Sequence, residues 1–275
     1  MTQTSGTPRP RRVIVTGSDG LIGRIALDAW SGDDRYDVVG LARTAGPYTG
    51  IVADIVNLDA LVEAFTGANA VVHLAATSAV ESAWEDVLSS NLIGTYNVFE
   101  AARRAGVERV IFSSSNHAIG TYETKNAPEL FELDDQRVWD HTAEIRPDSL
   151  YGVSKAYGEA LARYYVDHRG LKACCLRIGG TRGPNDPSHP ENLWKQEFDH
   201  DPEKLATRKR MRAVWLSPRD CIQLLERCLA TEHDWVLCYG ISNNPRRFWD
   251  IEHAKAMLGY EPQDGAPSEI VPDRG

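Results

Sequence analysis

Arg12-Val13-Ile14-Val15-Thr16-Gly17-Ser18-Asp19-Gly20-Leu21-Ile22-Gly23 is the stretch from which the rest of the chain takes its reading. Its first five residues read as a buried strand, its three glycines as a tight turn, and the residues that follow as a helix to about Trp30. The alternation then continues. Strands are expected at 38–42 and 51–54, a helix at 57–66, a strand at 70–75, a long helix at 85–105 and a strand at 109–113. A further helix, 151–167, precedes a sixth strand at 172–178. Short apolar strands separated by helices imply a parallel sheet covered on both faces, an α/β doubly wound fold.

Beyond Gly180 the pattern loosens. Residues 181–212 read as a polar, Pro-rich and charge-rich loop, Ser217-Pro218-Arg219-Asp220 opens a helix through Ala230, and 236–240 with helix 248–258 complete a small appended lobe. The expected organisation is therefore a mobile tail over 1–11, a dinucleotide-binding Rossmann domain over 12–180, a substrate-binding lobe over 181–260 interleaved with that core, and a tail over 261–275.

Composition narrows the function. A chain of 275 residues with 42% hydrophobic and 25% charged residues is ordinary for a globular protein and buries a full core. Its net charge of -9 and lack of a long basic run argue against nucleic acid and anionic membrane as partners. No apolar stretch approaches the roughly 18 residues of a spanning helix, and positions 1–12 lack the apolar segment of a secretory signal. Five cysteines without a Cys-x-x-Cys pair read as reduced core thiols of a cytoplasmic protein, with neither a disulfide framework nor a zinc site.

Two motifs carry chemistry. Gly17, Gly20 and Gly23, between the first strand and first helix, permit the turn, the close backbone approach to a pyrophosphate and the helix packing of a dinucleotide site. At the end of the second strand, where a carboxylate usually grips the ribose of NAD, stands Ala42-Arg43-Thr44. Arg43 is a candidate ligand for a 2′-phosphate, its alternative being a surface arginine at a strand end, so NADP is expected to be accepted and even to compete with NAD for preference. Asp54 is placed to accept from the adenine amino group, its alternative being a cap for helix 57–66. The second motif is Tyr151-Gly152-Val153-Ser154-Lys155. Residues four apart share a helix face, and a fixed cation stabilises the phenolate of a tyrosine whose free pKa is about 10. That suits removal of a proton from a hydroxyl. Alone, the pair would read as a solvated helix face; its company reverses this.

Taken together, Thr16-Gly17-x-x-Gly20-x-x-Gly23, Asp54, His73-Leu74-Ala75-Ala76, Asn91, Ser113-Ser114-Ser115 and Tyr151-x-x-x-Lys155 resemble the extended short-chain dehydrogenase/reductase superfamily over roughly 12–260. Within it, Ser113-Ser114-Ser115-Asn116-His117-Ala118-Ile119-Gly120 is similar to the Ser-Ser-Asn-His signature of uronate dehydrogenases and short-chain-type glucose-6-phosphate dehydrogenases. Arg210, Trp215-Leu216-Ser217 and Tyr239-Gly240-Ile241-Ser242-Asn243 extend the similarity.

The resemblance implies oxidation of the anomeric hydroxyl of an anionic sugar to a lactone, with Tyr151 as base, Lys155 as its activator and ribose anchor, and Ser115 as donor to the reacting oxygen. It implies a cofactor, NAD or NADP and no metal, along Gly17, Asp19, Gly20, Leu21, Ile22, Gly23, Arg43, Asp54, Ile55, Leu74, Ala75, Ala76, Asn91, Tyr151, Lys155 and Ile178. The sugar would meet Ser78, Ser115, Asn116, His117, Tyr151 and Gly180, with Arg210 on its acidic group. Gly180 stands where uronate dehydrogenases carry a serine, and the 181–209 segment is longer than theirs. A bulkier anion such as glucose 6-phosphate or sulfoquinovose is therefore ranked above a hexuronate. His189 and His200 read as exposed loop residues.

Two other function classes compete. A sugar-nucleotide epimerase or dehydratase shares the fold but typically has a larger C-terminal domain, and dehydratases place an acid pair where this chain has Asn116-His117. A non-catalytic redox sensor commonly loses Tyr or Lys, and both are present. Related folds often pair through helices 85–105 and 151–167, so a homodimer using Trp84, Tyr96, Tyr157 and Tyr164 is expected.

Overall fold

The computed structural model describes residues 10–182 and 202–267. Among the described residues seven strands form one parallel sheet in the order β3-β2-β1-β4-β5-β6-β7. They are β1 (Arg11–Thr16), β2 (Tyr36–Ala42), β3 (Ile51–Val52), β4 (Ala70–His73), β5 (Arg109–Ser115), β6 (Lys172–Ile178) and β7 (Trp235–Gly240). The strand order reverses between β1 and β4, and a crevice opens there at the carboxyl ends of the strands, which is where ligands bind in sheets of this kind.

Helices cover both faces, which explains why the strands read as continuous apolar runs. Val13, Val15, Val72 and Leu176 point to one side, against helices α1 (Leu21–Trp30) and Pro218–Ala230. Ile14, Val71, Val110 and Phe112 point to the other, against α2 (Leu58–Phe65), α3 (residues 84–104) and the helix Leu150–Arg169. The alternation follows from the two-residue period of a strand. All five cysteines are free and buried within these layers.

Several expectations are revised. The 236–240 segment is not part of an appended lobe: β7 pairs in parallel with β6 along its whole length and is the seventh strand of the main sheet. Residues 202–212 are not loop, because Pro202–Val214 is a helix whose Met211, Ala213 and Val214 are buried while the rest of its sequence is strongly polar, masking the periodicity. The last helix is Glu252–Leu258, shorter than expected. Asp250 Oδ1 and Oδ2 accept from the amides of Glu252 and His253, fixing its start, and Trp249 instead pairs with Trp139 in an isolated bridge.

Residues 261–267 do not trail off. Asp264 accepts from Ser217 Oγ at 2.6 Å and pairs with Arg219, and the Ala266 amide donates to Asn244 Oδ1 at 3.0 Å. The third strand stops at Val52 and its Asp54 lies in the following turn. Strand β1 begins at Arg11, inside the expected tail, whose residues 1–9 lie outside the described residues, as do His189 and His200. Among the described residues no helix is long and apolar enough to cross a membrane.

Candidate active site

Residues from both sides of the strand-order reversal line one cleft of about 650 Å³. The glycine turn forms its floor. Gly17 adopts φ 72° and a Cβ there would lie 2.8 Å from the Ala75 amide nitrogen; a Cβ on Gly23 would lie 2.4 Å from the Gly17 carbonyl oxygen. Glycine is thus required at both points. Gly20, Leu21 and Ile22 present the start of α1 to the cleft, and Leu74, Ala75 and Ala76 continue β4 along its opposite wall. Arg43 is exposed at the rim, with Asp54 and Ile55 beside it. Asp54 does not cap α2, a role taken by Asn57, whose side chain accepts from the Ala60 amide at 3.2 Å; the Asp54 carboxylate accepts from the Val56 amide instead. This open, glycine-floored crevice with a helix N-terminus at its base fits an extended dinucleotide.

Asn91 does not line the cleft. It is buried in the π-helical turn Val87–Ile93 of α3, where its amide donates to the Thr77 carbonyl at 2.9 Å and Ser154 Oγ at 3.0 Å and accepts from the Thr77 amide at 2.8 Å. It therefore pins the loop after β4 to the helix carrying the Tyr-Lys pair, and any part it has in cofactor binding is through that loop. His73 is likewise structural. Its Nδ1 meets Thr16 Oγ1 at 2.9 Å, and burial, aided by the Lys155 charge, holds it neutral with a pKa of about 3.

Helix Leu150–Arg169 begins where Ser149 Oγ accepts from the Gly152 amide, so Tyr151 and Lys155 fall in its first two turns, facing the cleft. Further along, Glu159 receives both Nε (2.9 Å) and Nη2 (2.8 Å) of Arg177 from β6, and Ser114 Oγ from β5. This buried pair locks the helix to the sheet. Lys155 is itself buried, and its Nζ donates to the Ser113 carbonyl at 2.7 Å and stands 5.4 Å from the centroid of the Tyr151 ring. Burial pushes the ammonium down to about 8.

Tyr151 departs from the expectation drawn from spacing. Burial raises its phenol above the ordinary value, hydrogen bonding with Ser115 pulls the other way, and the Asp148 carboxylate raises it further. The Lys155 ammonium sits beside the ring and bonds to a backbone carbonyl, so on its own it does not overcome burial.

On the substrate side, Ser78, Ser115, Asn116, His117, Gly180 and Arg210 all line the same cleft as Tyr151, as does Ile178 of the expected cofactor set. His117 Nδ1 lies 2.7 Å from Asp148 Oδ2, and its ring meets the Tyr151 ring edge-on at 5.8 Å. The structural hydrogen bond and the site position thus coexist, with Nε2 as the remaining polar end. Burial would raise the Asp148 carboxyl, but hydrogen bonds from His117 and Ser149 leave it below the ordinary carboxylate range. Sequence reasoning missed Asp148; its adjacency to the capping Ser149 was the available signal.

A Cβ on Gly180 would lie 2.7 Å from Met211 Cε, the free end of a flexible side chain that fills the space beside the glycine. Arg210 sits in a helix and is already paired, its Nε and Nη2 edge directed at the buried Glu123 carboxylate. The guanidinium fork expected to hold a substrate anion is therefore spent, and Nη1 remains as its open end. Thr181 and Arg182, not foreseen, line the cleft beside it. Among the described residues there is no cluster of metal-ligating side chains.

A dinucleotide crevice joined to a buried Ser-Tyr-Lys set defines an NAD(P)-dependent oxidoreductase of the extended short-chain dehydrogenase/reductase type. The chain belongs to the NAD dependent epimerase/dehydratase family, whose model matches residues 13–215. It is 40% identical over 216 residues to an NAD-dependent glucose-6-phosphate dehydrogenase of Haloferax volcanii, covering 78% of this chain and 76% of that protein. It is 36% identical over 268 residues to an L-arabinose 1-dehydrogenase (NAD(P)(+)) of the same organism, covering 94% and 99%. The crystal structure of uronate dehydrogenase from Agrobacterium tumefaciens superimposes with a TM-score of 0.73 at 29% identity, covering 94% of this chain and 86% of that one.

Proposed function

We propose that this protein is a sugar 1-dehydrogenase that oxidises the anomeric C1 hydroxyl of an anionic hexose to the lactone. The observation that carries the reading is the convergence of Ser115, Tyr151 and Lys155 on a cleft whose dinucleotide end and polar end are continuous. The names of the relatives, a glucose-6-phosphate, an L-arabinose and a uronate dehydrogenase, support the same reaction class.

In this reading Ser115 donates to the C1 oxygen and orients it toward Tyr151, which takes the hydroxyl proton. A bound oxidised nicotinamide supplies the acceptor for the hydride leaving C1, together with a positive charge. Lys155, anchored on Ser113, holds a cation near the phenol that opposes the burial keeping the proton on Tyr151, and a bound nicotinamide cation would add to that effect. The His117–Asp148 pair fixes an imidazole against the Tyr151 ring and offers Nε2 to a ring hydroxyl.

Arg182 and Arg210 line the polar end, which favours an anion at C6 over a neutral pentose. Met211 Cε occupies the space of a side chain at Gly180, so that glycine opens no extra room, and the ranking of glucose 6-phosphate or sulfoquinovose above a hexuronate rests on the positive charge at this end. Purified protein is assayed for NAD(P)H formation with glucose 6-phosphate, sulfoquinovose, glucuronate and L-arabinose, alongside Tyr151→Phe. The expected result is turnover of a phosphorylated or sulfonated hexose, lost by about 10²–10⁴-fold in the variant. Turnover confined to glucuronate refutes the ranking of phosphate or sulfonate above carboxylate, turnover confined to L-arabinose refutes the anion assignment, and an active Tyr151→Phe refutes the base. The exposed Trp84, Tyr96 and Tyr164, on the two helices expected to pair, support a homodimer; sedimentation as a monomer at micromolar concentration would exclude it.

A further inference from the structure

The end of β2 carries Ala42 and Arg43 where a sheet of this kind usually offers a carboxylate to the adenosine ribose. A carboxylate is nevertheless present at that place, delivered by the glycine turn. Asp19 faces the loop that leaves β2: its Oδ1 accepts from the Tyr48 amide at 3.2 Å, and its Oδ2 accepts from Thr49 Oγ1 and from Ser18 Oγ at 3.4 Å. The loop closes directly on it, since a Cβ on Gly46 would lie 2.4 Å from Asp19 Oδ1. Asp19, Ala42 and Arg43 line the same cleft.

An ionised carboxylate offers about four acceptor positions, so the contacts with Tyr48, Thr49 and Ser18 leave about one open to a further donor. The hydrogen bond from Thr49, outweighing partial burial, and those from Tyr48 and Ser18 keep the group ionised. Its position is fixed by two backbone segments, whereas Arg43 is an exposed side chain at the rim that must be ordered before it can hold a phosphate.

We propose that Asp19 is the ribose-selecting carboxylate of this chain, accepting from the adenosine ribose 2′-hydroxyl and repelling a 2′-phosphate, so that NAD is bound in preference to NADP despite Arg43. The proposal rests on the dinucleotide reading of the cleft and not on the identity of the sugar. A ribose 2′-hydroxyl donates to the position left open on the carboxylate, whereas a 2′-phosphate removes that donor and brings like charge against it.

The test is titration calorimetry of the sugar-free protein with NAD⁺ and NADP⁺, for the unaltered chain, Asp19→Asn, Thr49→Ala and Arg43→Ala. The unaltered chain should bind NAD⁺ at least about tenfold more tightly. Asp19→Asn, nearly isosteric and still able to hold the loop, should shrink that ratio by about tenfold, chiefly by tightening NADP⁺. Arg43→Ala should widen it. Thr49→Ala loosens the loop but keeps the charge, and should leave the ratio within about twofold. Preferential NADP⁺ binding by the unaltered chain, an equal effect of Asp19→Asn on both ligands, or the same shift from Thr49→Ala overturns the proposal. Binding of neither ligand overturns the cleft reading and this role together, whereas absence of sugar turnover leaves the ratio readable and bears only on the proposed reaction.

Discussion

Replacing Lys155 with Met should change the pH dependence of stability in a defined direction. The lysine ammonium is buried and its pKa falls from 10.5 to about 8. At roughly 1.4 kcal/mol per pH unit, burying the charged form costs the folded state about 3 kcal/mol. Below pH 8 both folded and unfolded chains carry the proton and the whole cost is present. Between 8 and 10.5 the unfolded chain binds more protons than the folded one, so this group's contribution to stability rises with pH. From pH 7 to pH 10 the gain is about 2.5 kcal/mol.

Lys155→Met removes that dependence and leaves the Ser113 carbonyl without its 2.7 Å donor, a pH-independent loss of about 1–3 kcal/mol. Urea unfolding of both proteins without cofactor, at pH 7, 8, 9 and 10, gives the difference in free energy, from which the other titrating groups cancel. The variant's stability relative to the unaltered chain should fall by about 2.5 kcal/mol across that range, and its oxidation of sugar should be lost. A difference that stays constant would show that the lysine is not held as a buried cation and would remove the physical basis for its action on Tyr151.

Two further outcomes follow from the packing. Gly180→Ser meets only Met211 Cε, the free end of a flexible side chain, and should cost the fold no more than about 1 kcal/mol in thermal melts; a loss above about 3 kcal/mol would show that the thioether cannot turn aside. His253 stacks on His141 with ring centroids 3.5 Å apart, and burial followed by the charge of His141 lowers its pKa. The unfolded chain therefore binds a proton that the folded chain refuses, and stability should fall as pH drops below about 6.5. His253→Phe keeps a ring in the stack and should flatten that decline between pH 7 and 5; equal slopes would refute the assignment.

Much of the site was legible because its constraints are local. Three glycines at fixed spacing after an apolar strand dictate a turn through backbone sterics, and a four-residue separation puts Tyr151 and Lys155 on one face whatever surrounds them. The strand and helix alternation gave the doubly wound sheet in the same way, since each element declares its own period. Where periodicity was hidden, as in the strongly polar helix Pro202–Val214, the reading missed the element.

What the sequence by itself determined, then, is the class of fold, the glycine turn that opens the cleft and the shared helix face of Tyr151 and Lys155, all set by neighbours along the chain. Tertiary structure alone decided which partners those groups meet. It joined β7 to the main sheet, brought Asp148 to His117 across 31 residues and Glu123 to Arg210 across 87, and set Asp19 against the loop after β2. It also decided how tightly Tyr151 holds its proton, because the free energy of a charge depends on the water excluded around it and on distant charges brought near, neither of which is written in adjacent residues.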